Sequence, residues 1–111
     1  MKNKIFIKKL SLNKKKIFIN FFFEYLSEIN SKNIFKNEFK NKLNNKILIN
    51  KNKKKFIIKI NNTDIGFLVI NYSKNILDKN VCYINDFFIL KKFRKNEIAK
   101  KTINELIEIL K

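Results

Sequence analysis

Histidine is absent from this sequence of 111 residues, and cysteine occurs once, as Cys82. Without histidine the chain lacks the commonest general base and metal ligand, so metal chemistry is set aside. A single cysteine allows no intrachain disulfide, which agrees with a reducing, cytoplasmic location, and its apolar surroundings favour packing over nucleophilic catalysis. The apolar run 17–23 is interrupted by Asn20, is far shorter than the ~20 residues of a membrane span, and has no cleavage site after it. The sequence therefore predicts a soluble protein without a membrane partner.

Acidic residues are scarce, since 9 Asp and Glu stand against 26 Lys and Arg, for a net charge of +17. Such an excess raises nucleic acid as a partner. However, 25 of the 26 are lysine, and Lys, Ile, Asn and Phe together make 76 of the 111 residues. All four are encoded by A- and T-rich codons, which indicates an AT-biased genome. A solvated basic surface is therefore favoured over a dedicated nucleic-acid face, and its charge would attract an anionic cofactor.

The pattern predicts one α+β domain over residues 1–111, with a mixed or antiparallel sheet and helices on both faces. The predicted elements are strand 4–10, helix 12–30, a helix through Ile34, Phe35, Phe39 and Leu43, strands 56–60, 65–70 and 81–90, and a C-terminal helix with Ala99, Ile103, Leu106 and Leu110 on its buried face. Residues 47–49 fit a helical turn or an edge strand. Residues 50–55 and 73–80 are predicted loops.

Asp86-Phe87-Phe88-Ile89, followed by the segment 92–99, resembles the acetyl-CoA segment of the GNAT N-acetyltransferase superfamily. In that family an Arg or Gln opens a turn of pattern R/Q-x-x-G-x-G/A, whose backbone amides hold the CoA pyrophosphate. Arg94 and Ala99 match the first and last positions of the pattern. Glu97 stands where the inner glycine is usual, and it adds bulk and negative charge beside the phosphates. Strands 56–60 and 65–70, with their Gly66-Phe67 pair, extend the resemblance upstream.

The resemblance implies a GNAT-like acyl-CoA N-acyltransferase fold without the family's last strands, because the sequence stops after the cofactor-binding helix. Acetyl-CoA is then expected to bind at Phe88, Ile89, Leu90, Arg94, Lys95, Asn96, Glu97, Ile98 and Ala99. Asp86, directly or through a water, is the candidate base that takes a proton from an amine acceptor. That acceptor is an amino acid, a small amine or a protein N-terminus. A second copy of the chain is one way to complete the open sheet edge.

Two functions stay open at this point. The first is a GNAT acetyltransferase, either active or eroded to an inactive fold that binds CoA weakly. The alternative is a small basic RNA- or DNA-binding module without catalysis, in which aromatic side chains stack on bases and lysines follow the backbone. No RNP-type pattern, helix-turn-helix or zinc spacing supports the alternative. For Asp86, an ordinary ion pair with a nearby lysine is the structural alternative to catalysis.

Overall fold

The computed structural model describes residues 4–29, 36–74, 76–95 and 97–110. The strands are β1 (Ile5–Lys9), β2 (Lys53–Ile60), β3 (Thr63–Lys74) and β4 (Asn80–Ile89), and the helices are α1 (Lys15–Ile29), α2 (Lys36–Leu43) and α3 (Ile98–Leu110). Short 3₁₀ turns precede α1 and α3, at Leu12–Lys14 and Lys91–Phe93, and a π-helical turn, Asn44–Leu48, follows α2. In the described ranges no helix is long and apolar enough to span a membrane.

The four strands form one antiparallel sheet in the order β1-β2-β3-β4. β2 and β3 are joined by a two-residue turn, and its first residue, Asn61, has a φ of 54°, a left-handed conformation that asparagine tolerates better than most residues. The predicted α+β class and the order of strands and helices are confirmed.

Side chains alternate between the two faces of the sheet, and each face has its own core. The core under α1 and α2 is built from aromatic and aliphatic side chains, namely Phe18, Phe22, Phe39, Leu43, Ile57, Phe67, Val69 and Phe88. The rings of Phe22 and Phe67 stack there with centroids 4.8 Å apart. The core under α3 contains Ile58, Leu68, Ile70, Ile89, Ile98 and Leu106, among others. The helices therefore cover both faces of the sheet, as predicted.

The predicted buried face of the C-terminal helix is confirmed at Leu106 and Leu110, but in the first turns it is displaced by one residue from Ala99 and Ile103. Ile98, Thr102 and Leu106 are buried, whereas Ala99 is exposed. A buried threonine is tolerated because its hydroxyl donates to the Ile98 carbonyl at 2.8 Å.

Two loops are shorter in the structure than predicted. Residues 53–55 belong to β2, and β3 continues to Lys74. Of the two interpretations of residues 47–49, the helical one is confirmed for 47 and 48. Ile34 and Phe35 of the predicted second helix, and Asn30 of the first, lie outside the described residues.

Candidate functional site

β4 carries a bulge in its pairing with β3. In the described part of the chain β4 pairs with β3 alone, so its other edge has no partner strand. Val69 of β3 faces Asp86, while the next residue, Ile70, faces Ile84. Asn85 is thus the extra residue of a β-bulge, which bends the strand just before Asp86.

Backbone groups of β4 alternate between the sheet and the free edge. The N–H of Leu90 donates to the Ile65 carbonyl at 2.8 Å, so it is engaged in the sheet. Because successive N–H groups of a strand point in opposite directions, the N–H of Phe88 also faces β3, and those of Phe87 and Ile89 face outward. Of the predicted residues Phe88, Ile89 and Leu90, only Ile89 therefore offers its N–H to a ligand at the free edge.

The only glycine of the chain lies where β3 and β4 approach each other beside this edge. Gly66 is paired with Ile89. A Cβ atom on Gly66 would lie 2.0 Å from the Phe88 carbonyl oxygen and 3.0 Å from the Ile89 Cα. The absence of a side chain at position 66 is therefore what lets the last residues of β4 lie at this distance from β3.

The start of α3 presents unused N–H groups next to β4. Arg94 N donates back to Lys91 O at 3.2 Å, and Ile98 N makes a long contact of 3.4 Å with Lys95 O. Among the described residues, nothing accepts a hydrogen bond from the N–H of Ala99 or Lys100. The carbonyl four residues before Ala99 is that of Lys95, so the Ala99 N–H is an open donor at the positive end of the helix dipole, whereas the corresponding carbonyl for Lys100 is that of Asn96. Asn96 lies outside the described residues.

Glu97 has a φ of 59°, which is the left-handed region that favours glycine. It is the residue that stands in place of the inner glycine of the family pattern. The backbone therefore adopts a glycine-like conformation there in spite of the glutamate side chain. A non-glycine residue in this region is strained by about 1–2 kcal/mol.

Arg94 is anchored inside the protein. Its Nε donates to the Ile89 carbonyl and its Nη2 donates to Glu28 of α1, both at 2.6 Å. The guanidinium also lies over the Phe88 ring, 5.4 Å from Cζ to the ring centroid. In this structure Arg94 fixes the turn between β4 and α3 through Nε and Nη2, while its side chain stays 39% exposed.

Asp86 follows the bulge and lies under α1, where the hydroxyl of Tyr25 is near enough to its carboxylate to affect the ionisation of both groups. Burial raises the pKa of Asp86, and the Tyr25 hydrogen bond and the positive charge of Lys53 oppose that rise. Burial and the Asp86 charge and hydrogen bond likewise raise the pKa of Tyr25. A half-buried carboxylate with a raised pKa is a stronger base than a surface aspartate.

Sequence reasoning missed Tyr25 as a member of this site. Tyr25 falls within the predicted helix 12–30, and nothing in the sequence links position 25 to position 86. It also missed Phe87, whose outward N–H is recognisable only from the strand register.

A four-stranded antiparallel sheet, helices on both faces and a bulged fourth strand that leads into a helix N-terminus together define an acyl-CoA N-acyltransferase fold. The model of the Acetyltransferase (GNAT) family matches residues 18–111. The chain therefore belongs to the GNAT acetyltransferase family. No curated protein sequence resembles the chain at a significant level.

Solved structures agree with this fold. A possible acetyltransferase from Clostridium difficile matches with a TM-score of 0.74 and 14% identity over 95% of this chain and 70% of its own. The ribosomal-protein-alanine N-acetyltransferase of Brucella melitensis matches with a TM-score of 0.72 and 13% identity, at the same 95% and 70% coverage. A predicted acetyltransferase from Clostridium acetobutylicum, solved with acetyl-CoA, matches with a TM-score of 0.64 and 20% identity, over 96% and 73%. At these identities the likeness establishes the fold alone.

Proposed function

We propose that the chain is an N-acetyltransferase that moves an acetyl group from acetyl-CoA to an amine. The proposal rests on two sets of backbone N–H donors that follow each other along the chain. Outward N–H groups on the bulged edge of β4 are followed, a few residues later, by the open N–H groups at the start of α3. In acetyl-CoA an extended arm that contains amide groups leads to a diphosphate, so its acceptor groups occur in the same order as these donors.

The edge of β4 would hold the arm. An extended ligand can add to a free strand edge through main-chain hydrogen bonds, as an added strand does. The N–H groups of Phe87 and Ile89 are available for this, whereas the Ile89 carbonyl already accepts from Arg94. Phe88 and Leu90 would act by shaping the edge, since their N–H groups face β3.

The turn 94–99 would hold the diphosphate. Ala99 supplies an open backbone donor, and the exposed ammonium groups of Lys95 and Lys100 add positive charge. Glu97 opposes binding through its own charge, although its left-handed backbone is the conformation that the turn requires. The residues present thus fit the group, with one repulsive carboxylate among them.

Asp86 would take the proton from the attacking amine, directly or through a water. Acetyl-CoA supplies a thioester whose carbonyl carbon the amine attacks. Tyr25 lies beside the Asp86 carboxylate and, because it stabilises the ionised form, opposes the rise in pKa that burial causes. The acceptor class stays an amino acid, a small amine or a protein N-terminus. The Brucella structure bears the name of an enzyme of the last kind.

A second copy of the chain is the proposed partner at the rest of the β4 edge. No lysine or arginine occurs from Asn80 to Leu90 in a chain that has 25 lysines, and Tyr83 and Ile84 are 54% and 44% exposed. The other edge strand, β1, is short and carries Lys8 and Lys9, as protected edges do. Pairing of residues 80–85 with the same residues of a second copy would leave 86–90 for the coenzyme.

Calorimetric titration with acetyl-CoA at low salt, followed by release of CoA in the presence of amino acids, polyamines and N-terminal peptides, tests the function. We expect binding, and turnover with one acceptor class. Asp86→Asn should keep the binding and lose the turnover. An intact fold that gives no heat with acetyl-CoA would overturn the proposal. Binding without turnover on any acceptor would identify the inactive form of the fold.

A further inference from the structure

Charge is divided unevenly between two parts of the sequence. Residues 1–23 and 39–63 contain 15 lysines and no acidic residue. The remaining residues, 24–38 and 64–111, contain 10 lysines, one arginine and all nine acidic residues. Codon bias toward lysine explains an abundance of lysine but not the confinement of every carboxylate to one part. The division therefore calls for a physical reason.

The fold brings the two lysine-rich segments together. They supply β1, the start of α1, the π-helical turn and β2, and β1 and β2 are neighbours at the sheet edge opposite β4. Asp64 of β3 reaches across to Lys14 at 2.7 Å and Lys59 at 3.5 Å. The exposed lysines of this half are Lys4, Lys8, Lys9, Lys15, Lys16, Lys42, Lys46, Lys51 and Lys54. A basic surface thus extends from the β1 edge over β2, and Lys53 at its inner side is near enough to oppose the rise in the pKa of Asp86.

A cavity of about 420 Å³ lies in this half, between the end of β1, the start of α1, the π-helical turn and the start of β2. Four lysines line it, Lys9, Lys15, Lys54 and Lys55. Lys55 is structural, because its ammonium donates to the carbonyls of Ile47, Leu48 and Asn50 at 3.2–3.3 Å and so holds the wall of the cavity. The other three are exposed at its rim. We name this feature the lysine groove.

Aromatic rings lie close to exposed lysines of β1 and of β2. The ammonium groups of Lys4 and Lys8 lie 5.3 Å and 5.8 Å from the centroid of Phe6 on β1. Lys54 of the groove lies 5.7 Å from the ring of Tyr72, which is 38% exposed. A positively charged groove with accessible rings is the arrangement that binds single-stranded nucleic acid through phosphates and stacked bases.

We propose that the lysine groove and the β1 edge bind the backbone of single-stranded nucleic acid, separately from the acetyl-transfer site on β4. An anionic membrane surface fits this half less well, because only two large apolar side chains, Leu12 and Ile49, are exposed among its described residues. Phosphate neutralisation by several lysines gives an affinity that falls steeply with salt.

Fluorescence anisotropy with labelled oligo-U and oligo-dT of about 20 nucleotides, at about 50 and 200 mM NaCl, tests the proposal. The groove variant is Lys9→Glu/Lys15→Glu/Lys54→Glu. The control, Lys74→Glu/Lys79→Glu/Lys91→Glu, changes the net charge equally in the other half of the chain. We expect the groove variant to lose about 30-fold or more in affinity and about 3 units of the salt slope, and the control to lose about 3-fold or less. Circular dichroism and melting verify that both variants fold.

Equal losses in the two variants would overturn the proposal, since net charge alone would then explain binding. Absence of binding at the lower salt concentration would overturn it as well, as would binding to phosphatidylserine vesicles without binding to either oligonucleotide. Saturating acetyl-CoA should leave the affinity for nucleic acid unchanged within about 2-fold. Competition would place the nucleic acid in the coenzyme site instead and contradict the inference.

Discussion

Nη2 of Arg94 lies 2.6 Å from Oε2 of Glu28, so a residue of the turn after β4 is joined to α1. The same guanidinium caps the last carbonyl of β4, at Ile89, and covers the ring of Phe88. One side chain thus links α1, the end of β4 and the start of α3, which are the three elements that bear the candidate site. Arg94 acts here as a positioning residue.

Substitution of Glu28 and substitution of Arg94 should lower the free energy of unfolding by different amounts. The ion pair is part-exposed and contributes about 1 kcal/mol or less, so Glu28→Gln should lower the free energy of unfolding by no more than that. Arg94→Ala should cost about 1–3 kcal/mol, because it also leaves the Ile89 carbonyl without its donor and uncovers Phe88. Urea unfolding of both variants measures the difference. Equal costs would show that the ion pair is the whole contribution.

Gly66→Ala should destabilise the protein and weaken acetyl-CoA binding together. The added Cβ would lie 2.0 Å from the Phe88 carbonyl, so β3 and β4 must separate beside Ile89, at a cost of about 1–3 kcal/mol. Ile5→Ala is the control, since it removes a buried side chain from β1, which is not a neighbour of β4 in the sheet. Melting temperature and calorimetric affinity are the measurements. If the two variants lose affinity in proportion to stability alone, Gly66 has no specific part in the site.

Much of the fold was predictable because the strongest patterns are local. Strands 56–60, 65–70 and 81–90 are runs of apolar, β-branched and aromatic residues, and all three occur. Lys53 to Lys55 was predicted as loop from its charge. β2 nevertheless extends through this segment. The Lys55 ammonium donates to carbonyls of the π-helical turn, and a local sequence pattern does not reveal such a contact.

The parts that were missed depend on contacts between distant segments. Apolar residues occur on several sides of α3, so helical spacing allowed more than one buried face, and packing selected Ile98, Thr102 and Leu106. The bulge at Asn85 has no glycine to mark it. Tyr25 meets Asp86 only in the folded chain. The family pattern has a glycine at position 97, which suits a left-handed backbone, whereas a glutamate at that position does not predict one.

Glu97 variants should separate charge from backbone conformation. Glu97→Gly removes both the carboxylate and the strain of the left-handed residue, so it should stabilise the protein by about 1 kcal/mol and tighten acetyl-CoA binding. Glu97→Gln removes the charge alone and should tighten binding without stabilising the protein. Calorimetry and thermal unfolding of the two variants give the comparison. Unchanged affinity in both would mean that the diphosphate does not lie at this turn.

Ile84→Lys should convert a dimer to a monomer if a second copy pairs along residues 80–85. The substitution places a charge on an exposed edge residue, which is how natural edge strands avoid pairing. Sedimentation equilibrium of both proteins over a range of concentrations measures the change. Ile76→Lys, in the loop before β4, is the matched control for charge and exposure. A wild-type chain that stays monomeric at high concentration would rule out this partner.

The pKa of Asp86 should be visible in both stability and activity. Since burial raises its pKa in the folded state above 3.8, the folded protein binds more protons than the unfolded chain, and this contribution to stability decreases as the pH rises through the folded pKa. Asp86→Asn should lack that decrease and lower kcat by about 10²–10⁴-fold.

In Tyr25→Phe the Asp86 carboxylate loses the interaction with the Tyr25 hydroxyl that lowers its pKa, so the acidic limb of the pH–rate profile should move to higher pH. Tyr72→Phe should leave that limb in place. A limb that moves equally in both tyrosine variants, or not at all in Tyr25→Phe, would mean that Asp86 is not the base whose ionisation the rate follows.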